Sequence, residues 1–477
     1  MSSRRIPDDP VMYQIYVRSF ADANGDGVGD IQGIISRLDH LAALGVDGIW
    51  LTPVFASPQF DFGYDVSDYR EIHHEFGTIG DMDELLREAH ARNIAVILDM
   101  ILSHTSIEHP WFRAHPERYL WSEERPNNWL SAFGGSAWQF DEKTSKYYYH
   151  RYYPEQPHLD WSNPDVRHAM HDVIAFWVDR GVDGFRLDSI DGLAVDPQLR
   201  DEPRATGTGI AGRENDNWAD YWQLEHLHTT NLPQVLDELA RLKAAFPGTS
   251  FLVEADLPRT ALKPYLEIAD SAFSFEFFRA RLDGAAIAPI IDGAGIHGRP
   301  AWALSNHDLP RMVSRWGRPR AGIAAMLLLT LPGWAFIYQG DEIGMIDGPG
   351  GPVAFDRSGR DAVRHPMQWD ATGGFSTAAP WLPMIDPADC NVADQLGDPH
   401  SMIELYRALI SFRRQLSGPV EVIEASAGEL IYRRGSETAQ LNFGAGPVRR
   451  VEGDVRFSTG RLSSDLLPPD TGVIVRS

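Results

Sequence analysis

The chain has 477 residues, of which 43% are apolar and 11% aromatic, so it can bury a large hydrophobic core and is globular, neither disordered nor fibrous. Its formal net charge of -24 argues against nucleic acid or an anionic membrane as a partner, because both attract basic surfaces and repel acidic ones. The charge favours a soluble protein with a neutral or cationic ligand.

The cysteine content and the lengths of the apolar runs indicate the cellular compartment of the protein. Cys390 is the only cysteine, so the sequence offers no intramolecular disulfide and no cysteine-based zinc site, which suits a reducing, cytoplasmic environment. Residues Met1 to Pro10 lead into a mixed run instead of an apolar one, so we predict no signal peptide. The longest apolar run, Gly322 to Leu331, is too short to span a bilayer and predicts a core helix.

The first part of the chain alternates strands with helices. Val11 to Phe20 is rich in β-branched and aromatic residues and predicts a strand, which leads into the Gly-, Asp- and Asn-rich loop Asp22 to Asp30. Apolar residues at three- and four-residue spacings from Ile31 to Leu44 predict a helix that Gly45 ends. The next predicted elements are the strand Gly48 to Phe55, the helix Asp81 to Ala91 and the strand Ile94 to Met100.

The alternation stops between about Thr105 and Asn163, where tryptophan and tyrosine are concentrated, and we predict an inserted subdomain there. Asn163-Pro164-Asp165 then provides an N-cap, a proline at the first helical position and an acid in the first turn. The helix that begins there ends at Gly181, and the strand-helix order resumes.

The second half supplies the remaining strands. They are predicted at Val182 to Asp188, Ser250 to Ala255, Ser271 to Phe277, Ala301 to Ser305 and Trp334 to Gln339, with helices at Pro233 to Phe246, Thr260 to Ala269 and Pro319 to Leu331. Eight strands that alternate with helices predict a (β/α)8 TIM barrel, an α/β fold. The alternative is an open doubly wound sheet, but no glycine-rich dinucleotide fingerprint follows the first strand.

The predicted helix Met402 to Gln415 closes the barrel, and the chain after about Gly418 breaks into short β-like runs. We therefore predict three domains. The barrel takes residues 1–104 and 164–417, an aromatic-rich inserted subdomain takes 105–163, and a small C-terminal β domain takes 418–477.

Charged and polar residues collect where the predicted barrel strands end, which is where TIM barrels carry their active sites. Within the fourth strand, Phe185 and Leu187 share one face while Arg186 and Asp188 share the other, and a structural ion pair is the alternative to a functional one. The other polar strand ends are Asp99 with His104, Glu254, and Asn306 with His307 and Asp308.

Carboxylates, an arginine and two histidines at one rim suit glycosyl transfer. That reaction needs one carboxylate as nucleophile or base and one protonated carboxyl group for the leaving oxygen. No Ser-His-Asp or Cys-His arrangement competes with this interpretation.

Seven short motifs follow one another between Val11 and about Arg414. They are Asp61-Phe-Gly-Tyr64, Asp99-Met-Ile-Leu-Ser-His104, Gly184-Phe-Arg-Leu-Asp188, Val253-Glu254, Ser305-Asn-His-Asp308, Gln339-Gly-Asp-Glu-Ile-Gly344 and Arg364-His-Pro-Met-Gln-Trp-Asp370. In this set and order, the chain resembles the α-amylase superfamily of glycoside hydrolases, in its α-glucosidase and oligo-1,6-glucosidase branch.

The resemblance implies catalytic roles for the carboxylates. Asp188 would be the nucleophile, Glu254 the general acid/base, and Asp308 the third carboxylate that holds the distorted sugar. Arg186 would position Asp188 and keep it ionised. The superfamily works with retention, through a covalent glycosyl-enzyme intermediate.

The resemblance also implies the residues that bind substrate. His104 and His307 would bind hydroxyls of one glucose, and Tyr64 would stack beneath its ring. Asp61 and Arg364 would hold the 4-hydroxyl of the non-reducing end, which closes the pocket and makes the enzyme exo-acting.

The loop Asp22 to Asp30 has oxygen ligands at alternate positions, with Gly27 where a calcium loop turns sharply. The candidate ligands are Asp22, Asn24, Asp26, Val28 and Asp30. Gly33 stands where an EF-hand would have its bidentate glutamate, so the loop is not an EF-hand. The branch that the chain resembles carries a calcium loop here, so we predict a structural Ca²⁺ site, which Mg²⁺ would also fit. The alternative is a loop of Asx turns.

The chain departs from the branch at four positions. Ser103 replaces the asparagine before His104, so the hydrogen bonding that supports His104 must differ. His158 and Asp160 change the neighbouring Gln-Pro-Asp-Leu-Asn-Trp signature. Ser189 follows the nucleophile, where Val is typical of α-1,6 and Thr of α-1,4 preference; as a hydroxyl residue it favours α-1,4 or mixed specificity.

Three functions are weighed. The first is an exo-acting retaining α-glucosidase that hydrolyses short α-glucosides, either as a monomer or as a weak dimer. The second is a glucosyl-transferring or isomerising enzyme with the same site, such as a transglycosylase, trehalose synthase or sucrose isomerase. Acceptor-site loops such as Ser189 to Asn231 would decide between the first function and the second. The third, a non-catalytic amylase-like scaffold, predicts lost carboxylates and a membrane anchor, and the sequence fits neither.

Overall fold

Eight parallel strands close into a barrel in the computed structural model, which describes residues 6–206, 223–292, 298–350, 356–462 and 465–476. We number them β1 to β8 in chain order: Val11–Ile15, Gly48–Leu51, Ala95–Met100, Gly184–Leu187, Ser250–Val253, Ser271–Phe273, Pro300–Ala303 and Trp334–Tyr338. Strand β1 pairs in parallel with both β2 and β8, which closes the sheet. The predicted (β/α)8 barrel is confirmed.

Helices connect most of these strands, and local signals set their ends. The helix Ile31–Leu44 begins where the Asp30 side chain accepts the Gly33 N–H, and it ends at Gly45, whose φ of 93° is left-handed. The other helices of eight or more residues are Ile79–Ala91, Pro164–Arg180, Leu232–Ala245, Arg259–Leu266, Gly284–Ile291, Arg318–Thr330 and Met402–Arg413. Shorter ones are Pro110–Ala114, Phe275–Arg279, Met312–Trp316 and Val392–Gln395.

Side-chain alternation along the strands produces two cores. Met12, Trp50 and Phe336 belong to a cluster that fills the barrel, whereas Tyr13 and Ile15 pack into the larger cluster between strands and helices. Phe185 and Leu187 of β4 also lie in the outer cluster. The other face of β4 therefore points into the barrel, as the sequence predicts.

Three predicted strands are too long by four or more residues. The predicted strand Gly48 to Phe55 ends at Leu51. The predicted strand Ser271 to Phe277 ends at Phe273, and Phe275–Arg279 is a short helix. The predicted strand Val11 to Phe20 ends at Ile15 and continues as a 3-10 turn, Val17–Ser19. The barrel strands are three to six residues long, after which the chain turns to its loop although the apolar composition continues.

Further sheets lie outside the barrel, most of them within the ranges predicted for the insert and for the C-terminal domain. Between β3 and Pro164, a three-stranded antiparallel sheet contains Trp121–Ser122, Trp138–Asp141 and Lys146–Tyr149. Near the C-terminus, an antiparallel sheet contains Val420–Ala425, Glu429–Arg434, Glu437–Asn442, Thr471–Arg476 and Asp454–Ser458. Two-stranded pairs join Phe55–Ala56 to Asp68–Ile72 and Val448–Arg449 to Leu466–Leu467. Among the described residues, no helix has the length and apolar content needed to cross a bilayer.

Candidate active site

Strand register brings the polar ends of β3, β4 and β5 together. Asp99 on β3 is the direct neighbour of Arg186 on β4. Just beyond the strands, the Asp188 N–H donates to the Met100 carbonyl at 3.1 Å, and the Glu254 N–H donates to the Leu187 carbonyl at 3.1 Å. The predicted nucleophile and acid/base therefore follow neighbouring strands at the C-terminal end of the barrel.

Arg186 lies at the centre of the carboxylates. Its Nη1 is 2.7 Å from Asp99 Oδ1 and 2.6 Å from Asp188 Oδ1, and its Nη2 is 2.7 Å from Glu254 Oε1. The arginine side chain is only 3% exposed. One guanidinium therefore neutralises part of the charge of the buried Asp99 and Asp188 and of the partly exposed Glu254, and these groups titrate as a coupled set.

Burial raises the pKa of all three carboxyl groups. The pKa of Asp99 is raised to about 6, and those of Asp188 and Glu254 to about 7 each, while the charge of Arg186 acts in the opposite direction. Near neutral pH the set retains protons. A retained proton on one carboxyl group and a negative charge on another are what glycosyl transfer needs.

Asp308 binds two arginines from the segment after β8. Its Oδ1 is 3.0 Å from Arg364 Nη2 and 3.2 Å from Arg360 Nη1. Burial alone would raise the pKa of Asp308, but the neighbouring His307 ring and the positive charges of Arg360 and Arg364 hold this pKa well below its usual range. Asp308 is therefore ionised at neutral pH.

Asp61 and Arg364, which the resemblance assigns to one sugar hydroxyl, have different ion-pair partners. Asp61 Oδ1 forms its ion pair with Arg360 Nη2, while Asp61 Oδ2 accepts from the Gln156 amide at 3.1 Å. Arg364 instead donates to Asp308 and, through Nε, to the His307 carbonyl at 2.8 Å. Arg360 thus connects Asp61 to Asp308, and Arg364 forms a further ion pair with Asp308.

Tyr64 and His307 form a stacked pair in the pocket. Their ring centroids are 5.7 Å apart with planes 9° from parallel, and Tyr64 Oη lies 2.6 Å from His307 Nε2. Tyr64 Oη also donates to Asp99 Oδ2 at 3.0 Å. Burial lowers the pKa of His307 to about 3, so its imidazole is neutral at pH 7.

The departure at Ser103 has a direct structural consequence. Ser103 Oγ lies 2.9 Å from Nδ1 of the adjacent His104, and His104 Nε2 lies 3.0 Å from the Tyr64 carbonyl and 3.2 Å from Gln156 Nε2. Burial lowers the pKa of His104 to about 4. A serine hydroxyl therefore contacts the ring directly, and both histidines of the site are neutral at pH 7.

The sequence interpretation missed Arg360. The residue lies four positions before Arg364, in the turn Ser358-Gly-Arg360-Asp361. Its closeness to Arg364 in the chain is the signal that could have found it. Its two ion pairs join residues that are far apart in the chain, so strand-end reasoning does not find it.

The inserted subdomain contacts the same segment after β8. Tyr153 Oη bonds to Ser358 Oγ, and Arg357 Nη1 donates to Glu155 Oε2 at 3.1 Å. The Phe133 ring stacks on Tyr153 at 4.2 Å. These contacts join the insert to the loop that carries Arg360, beside the pair of Asp61 and Arg360.

The predicted calcium loop has donor types that fit a hard cation. Asp22 Oδ1 accepts the Gly25 N–H at 2.7 Å and Oδ2 accepts the Gly27 N–H at 2.8 Å, and the Asp26 Oδ1 accepts the Val28 N–H at 2.8 Å. These are also the bonds of Asx turns. They leave Asp22 Oδ1 and Asp26 Oδ1 a further acceptor site, whereas Asp22 Oδ2 also accepts from the Ser376 hydroxyl. Across the described ranges, no three acidic, histidine or cysteine side chains form a metal-binding group. Calcium at Asp22, Asn24, Asp26, Val28 and Asp30 therefore stays a prediction.

The chain matches a known protein family over most of its length. The model of the alpha amylase catalytic domain covers residues 14–288 and 290–418. This span contains all seven motifs and extends to the end of the barrel helix Met402–Arg413.

Individual relatives agree with that match. A probable alpha-glucosidase of Rhizobium meliloti (strain 1021) is 39% identical over 478 residues, which cover 89% of this chain and 86% of that protein. An oligo-1,6-glucosidase of Parageobacillus thermoglucosidasius is 35% identical, with coverage of 85% and 83%. The solved structure of the alpha-glucosyl transfer enzyme XgtA has a TM-score of 0.89 and 33% identity, and the match covers 98% of this chain and 99% of that one. With the barrel and its cluster of buried carboxylates, these matches identify the chain as a glycoside hydrolase of the α-amylase family, in the α-glucosidase and oligo-1,6-glucosidase branch.

Proposed function

We propose that the protein is an exo-acting, retaining α-glucosidase that hydrolyses short α-glucosides. Asp188 attacks the anomeric carbon, Glu254 protonates the leaving oxygen and then activates water, and Asp308 binds the distorted sugar. The observation that carries the proposal is that Arg186 binds Asp188 and Glu254 through its two terminal nitrogens. This arrangement keeps the two carboxyl groups close to each other. A retaining mechanism requires a separation of about 5 Å between them.

The exo mode rests on Arg360. It bridges Asp61 and Asp308, while Arg364 lies buried behind Asp308, so charged groups close one end of the pocket. The two carboxylates have strong acceptor oxygens for the hydroxyls of a terminal glucose. A chain that continued beyond that glucose would have to displace the ion pairs, which favours short substrates and a free non-reducing end.

The names of the relatives support hydrolysis of α-glucosides by this chain, since an alpha-glucosidase and an oligo-1,6-glucosidase match most of its length. Glucosyl transfer is the second candidate, and the likeness to the alpha-glucosyl transfer enzyme XgtA favours it. Part of the acceptor loop Ser189 to Asn231 lies outside the described residues, so the loop does not decide between water and sugar as acceptor.

Product analysis tests the proposal. The enzyme is incubated separately with maltose, isomaltose, trehalose, sucrose and soluble starch. We expect glucose from maltose, with isomaltose cleaved no faster, and no release from starch; NMR should show α-glucose as the first anomer. A new disaccharide as the main product supports transfer, whereas β-glucose as the first anomer or internal cleavage of starch contradicts the proposal.

A further inference from the structure

Aromatic rings fix the plane of the His307 imidazole. Tyr64 stacks on it with centroids 5.7 Å apart, and Tyr16 lies 6.1 Å away at an interplanar angle of 23°. Trp50 presents its ring at 5.9 Å and 80°. Packing holds the ring, but it does not decide which ring nitrogen carries the proton in the neutral imidazole.

Gln14 contacts the ring nitrogen on the side away from the carboxylates. It lies on β1, 1% exposed, in register with Trp50 on β2 and Tyr338 on β8. Its Nε2 is 2.8 Å from His307 Nδ1. It shares the inward-facing side of β1 with Met12, which belongs to the cluster inside the barrel.

The other ring nitrogen determines the direction of this hydrogen bond. His307 Nε2 lies 3.2 Å from Asp308 Oδ2 and 2.6 Å from Tyr64 Oη. The negative charge of Asp308 beside Nε2 favours the proton on that nitrogen, which then donates to Tyr64 Oη and leaves Nδ1 as the acceptor. An amide N–H of Gln14 is the donor that suits Nδ1.

The hydrogen bonds beyond His307 run in the same direction, from donor to acceptor, as far as Asp99. Tyr64 Oη accepts from His307 Nε2, so its hydroxyl proton is free to go to Asp99 Oδ2 at 3.0 Å. Asp99 Oδ1 in turn accepts from Arg186 Nη1 at 2.7 Å, the nitrogen that also binds Asp188. A single chain of hydrogen bonds therefore joins the amide of Gln14 to the arginine that holds the nucleophile.

We propose that Gln14 is a positioning residue for glycoside cleavage, whose side-chain amide fixes the proton of His307 on Nε2 and thereby directs the hydrogen bonds of Tyr64 and Asp99 toward Arg186. The charged groups around His307 are Asp308, Arg364, Arg186 and Arg360. The proposal rests on the function proposed above. An inactive wild-type protein would refute that function, whereas the test of Gln14 compares variants of an active one.

Two substitutions separate the hydrogen bond from the volume of the side chain. Gln14→Met has similar length and no amide, so kcat/KM for an aryl α-glucoside should fall about tenfold while the pH profile keeps its shape. Gln14→Glu places an acceptor against Nδ1, which draws the proton to that nitrogen, and its charge raises the pKa of His307. This variant should lose activity and show an additional ionisation on the acid side of its pH profile.

Gln339 provides a matched control on the adjacent strand end. It is fully buried, and its N–H donates to the Gln14 carbonyl at 3.1 Å. Within the described part of the chain its side chain bonds to backbone alone: it accepts from the Tyr16 N–H at 2.8 Å and donates to the Ser19 carbonyl at 3.1 Å. Gln339→Met and Gln339→Glu should lower thermal stability and leave the shape of the pH profile unchanged.

Two results would overturn the proposal. One is a Gln14→Met variant with the kcat/KM of the wild type, or with a loss no greater than that of Gln339→Met. The other is a Gln14→Glu pH profile without a new ionisation, or with one that Gln339→Glu shares. If Gln14→Glu does not fold, the comparison of the two methionine variants decides.

Discussion

The backbone N–H of Ser189 donates to Glu254 Oε2 at 2.9 Å, and the Ser189 hydroxyl lies 3.4 Å from the same oxygen. Ser189 has φ 43° and ψ 46°, in the left-handed region that side chains other than glycine rarely adopt. This conformation directs the N–H across from β4 to the carboxyl group after β5. The residue that follows the proposed nucleophile therefore holds the proposed acid/base in place.

Substitutions at Ser189 should separate stability from catalysis. Ser189→Gly keeps the N–H and relieves the left-handed strain, so we expect its free energy of unfolding to stay within about 1 kcal/mol of wild type and its kcat/KM to change only a few-fold. Ser189→Val should be destabilised by roughly 1–2 kcal/mol, because a β-branched residue is poorly tolerated there. Urea unfolding and kinetics with maltose measure both effects. Equal stability of the two variants would contradict the assigned strain.

Asp188→Asn should abolish turnover, by on the order of 10⁴-fold or more, because an amide cannot form the glycosyl-enzyme intermediate. Its effect on stability should depend on pH. The pKa of Asp188 rises from 3.8 to about 7 on folding, so the folded state binds more protons and wild-type stability falls as pH rises from about 4 to about 7. The asparagine variant does not lose this stability. The difference in melting temperature, Asp188→Asn minus wild type, should therefore increase from pH 4 to pH 8. Surviving activity would refute the nucleophile.

The pH dependence of activity should be bell-shaped with its maximum near neutrality. Asp188 must be ionised and Glu254 protonated, and burial raises the pKa of each to about 7. Because the two groups share Arg186, the limbs report the coupled set. With α-glucosyl fluoride, whose leaving group needs no proton, Glu254→Gln should keep the acid limb and lose the alkaline limb. An unchanged alkaline limb in this variant would assign that limb to another group.

Arg360→Met should damage the pocket more than Arg357→Ala. Arg360 bridges Asp61 and Asp308, and its removal leaves a buried carboxylate without its partner. We expect kcat/KM for maltose to fall roughly tenfold to a hundredfold. Arg357, on the same loop, is 38% exposed and pairs with Glu155 at 3.1 Å, so its loss should change kcat/KM less than about threefold. Similar losses in both variants would mean that the loop as a whole is responsible.

Calcium should stabilise the loop Asp22 to Asp30. After treatment with a chelator, the melting temperature should rise when millimolar Ca²⁺ is added. Asp26→Asn keeps the oxygen that accepts the Val28 N–H but removes the charge, so it should match the calcium-free wild type and gain less from Ca²⁺. Asp39→Asn is the control, since this exposed carboxylate lies outside the loop and pairs with Arg92. A melting temperature that does not change when Ca²⁺ is added would mean that the Asx turns alone hold the loop.

Much of the fold follows from the sequence because its signals are local. The helix Ile31–Leu44 is predicted to the residue from its apolar spacing, with Gly45 as its end. Eight strand-helix repeats predict the barrel, and alternation along β4 predicts that Arg186 and Asp188 share its interior face. The ends of the strands after Ile15 and Phe273 are not predicted, because the apolar composition continues where the backbone turns.

The sequence by itself determined the barrel, the family and the side chains that gather at one rim, because strand order and alternation place them there. Only the tertiary structure decided how these side chains pair. Strand register sets Asp99 beside Arg186, loop folding brings Arg360 to Asp61, and a left-handed residue aims Ser189 at Glu254. These contacts join residues far apart in the chain, and their geometry depends on register and loop conformation that no local pattern encodes.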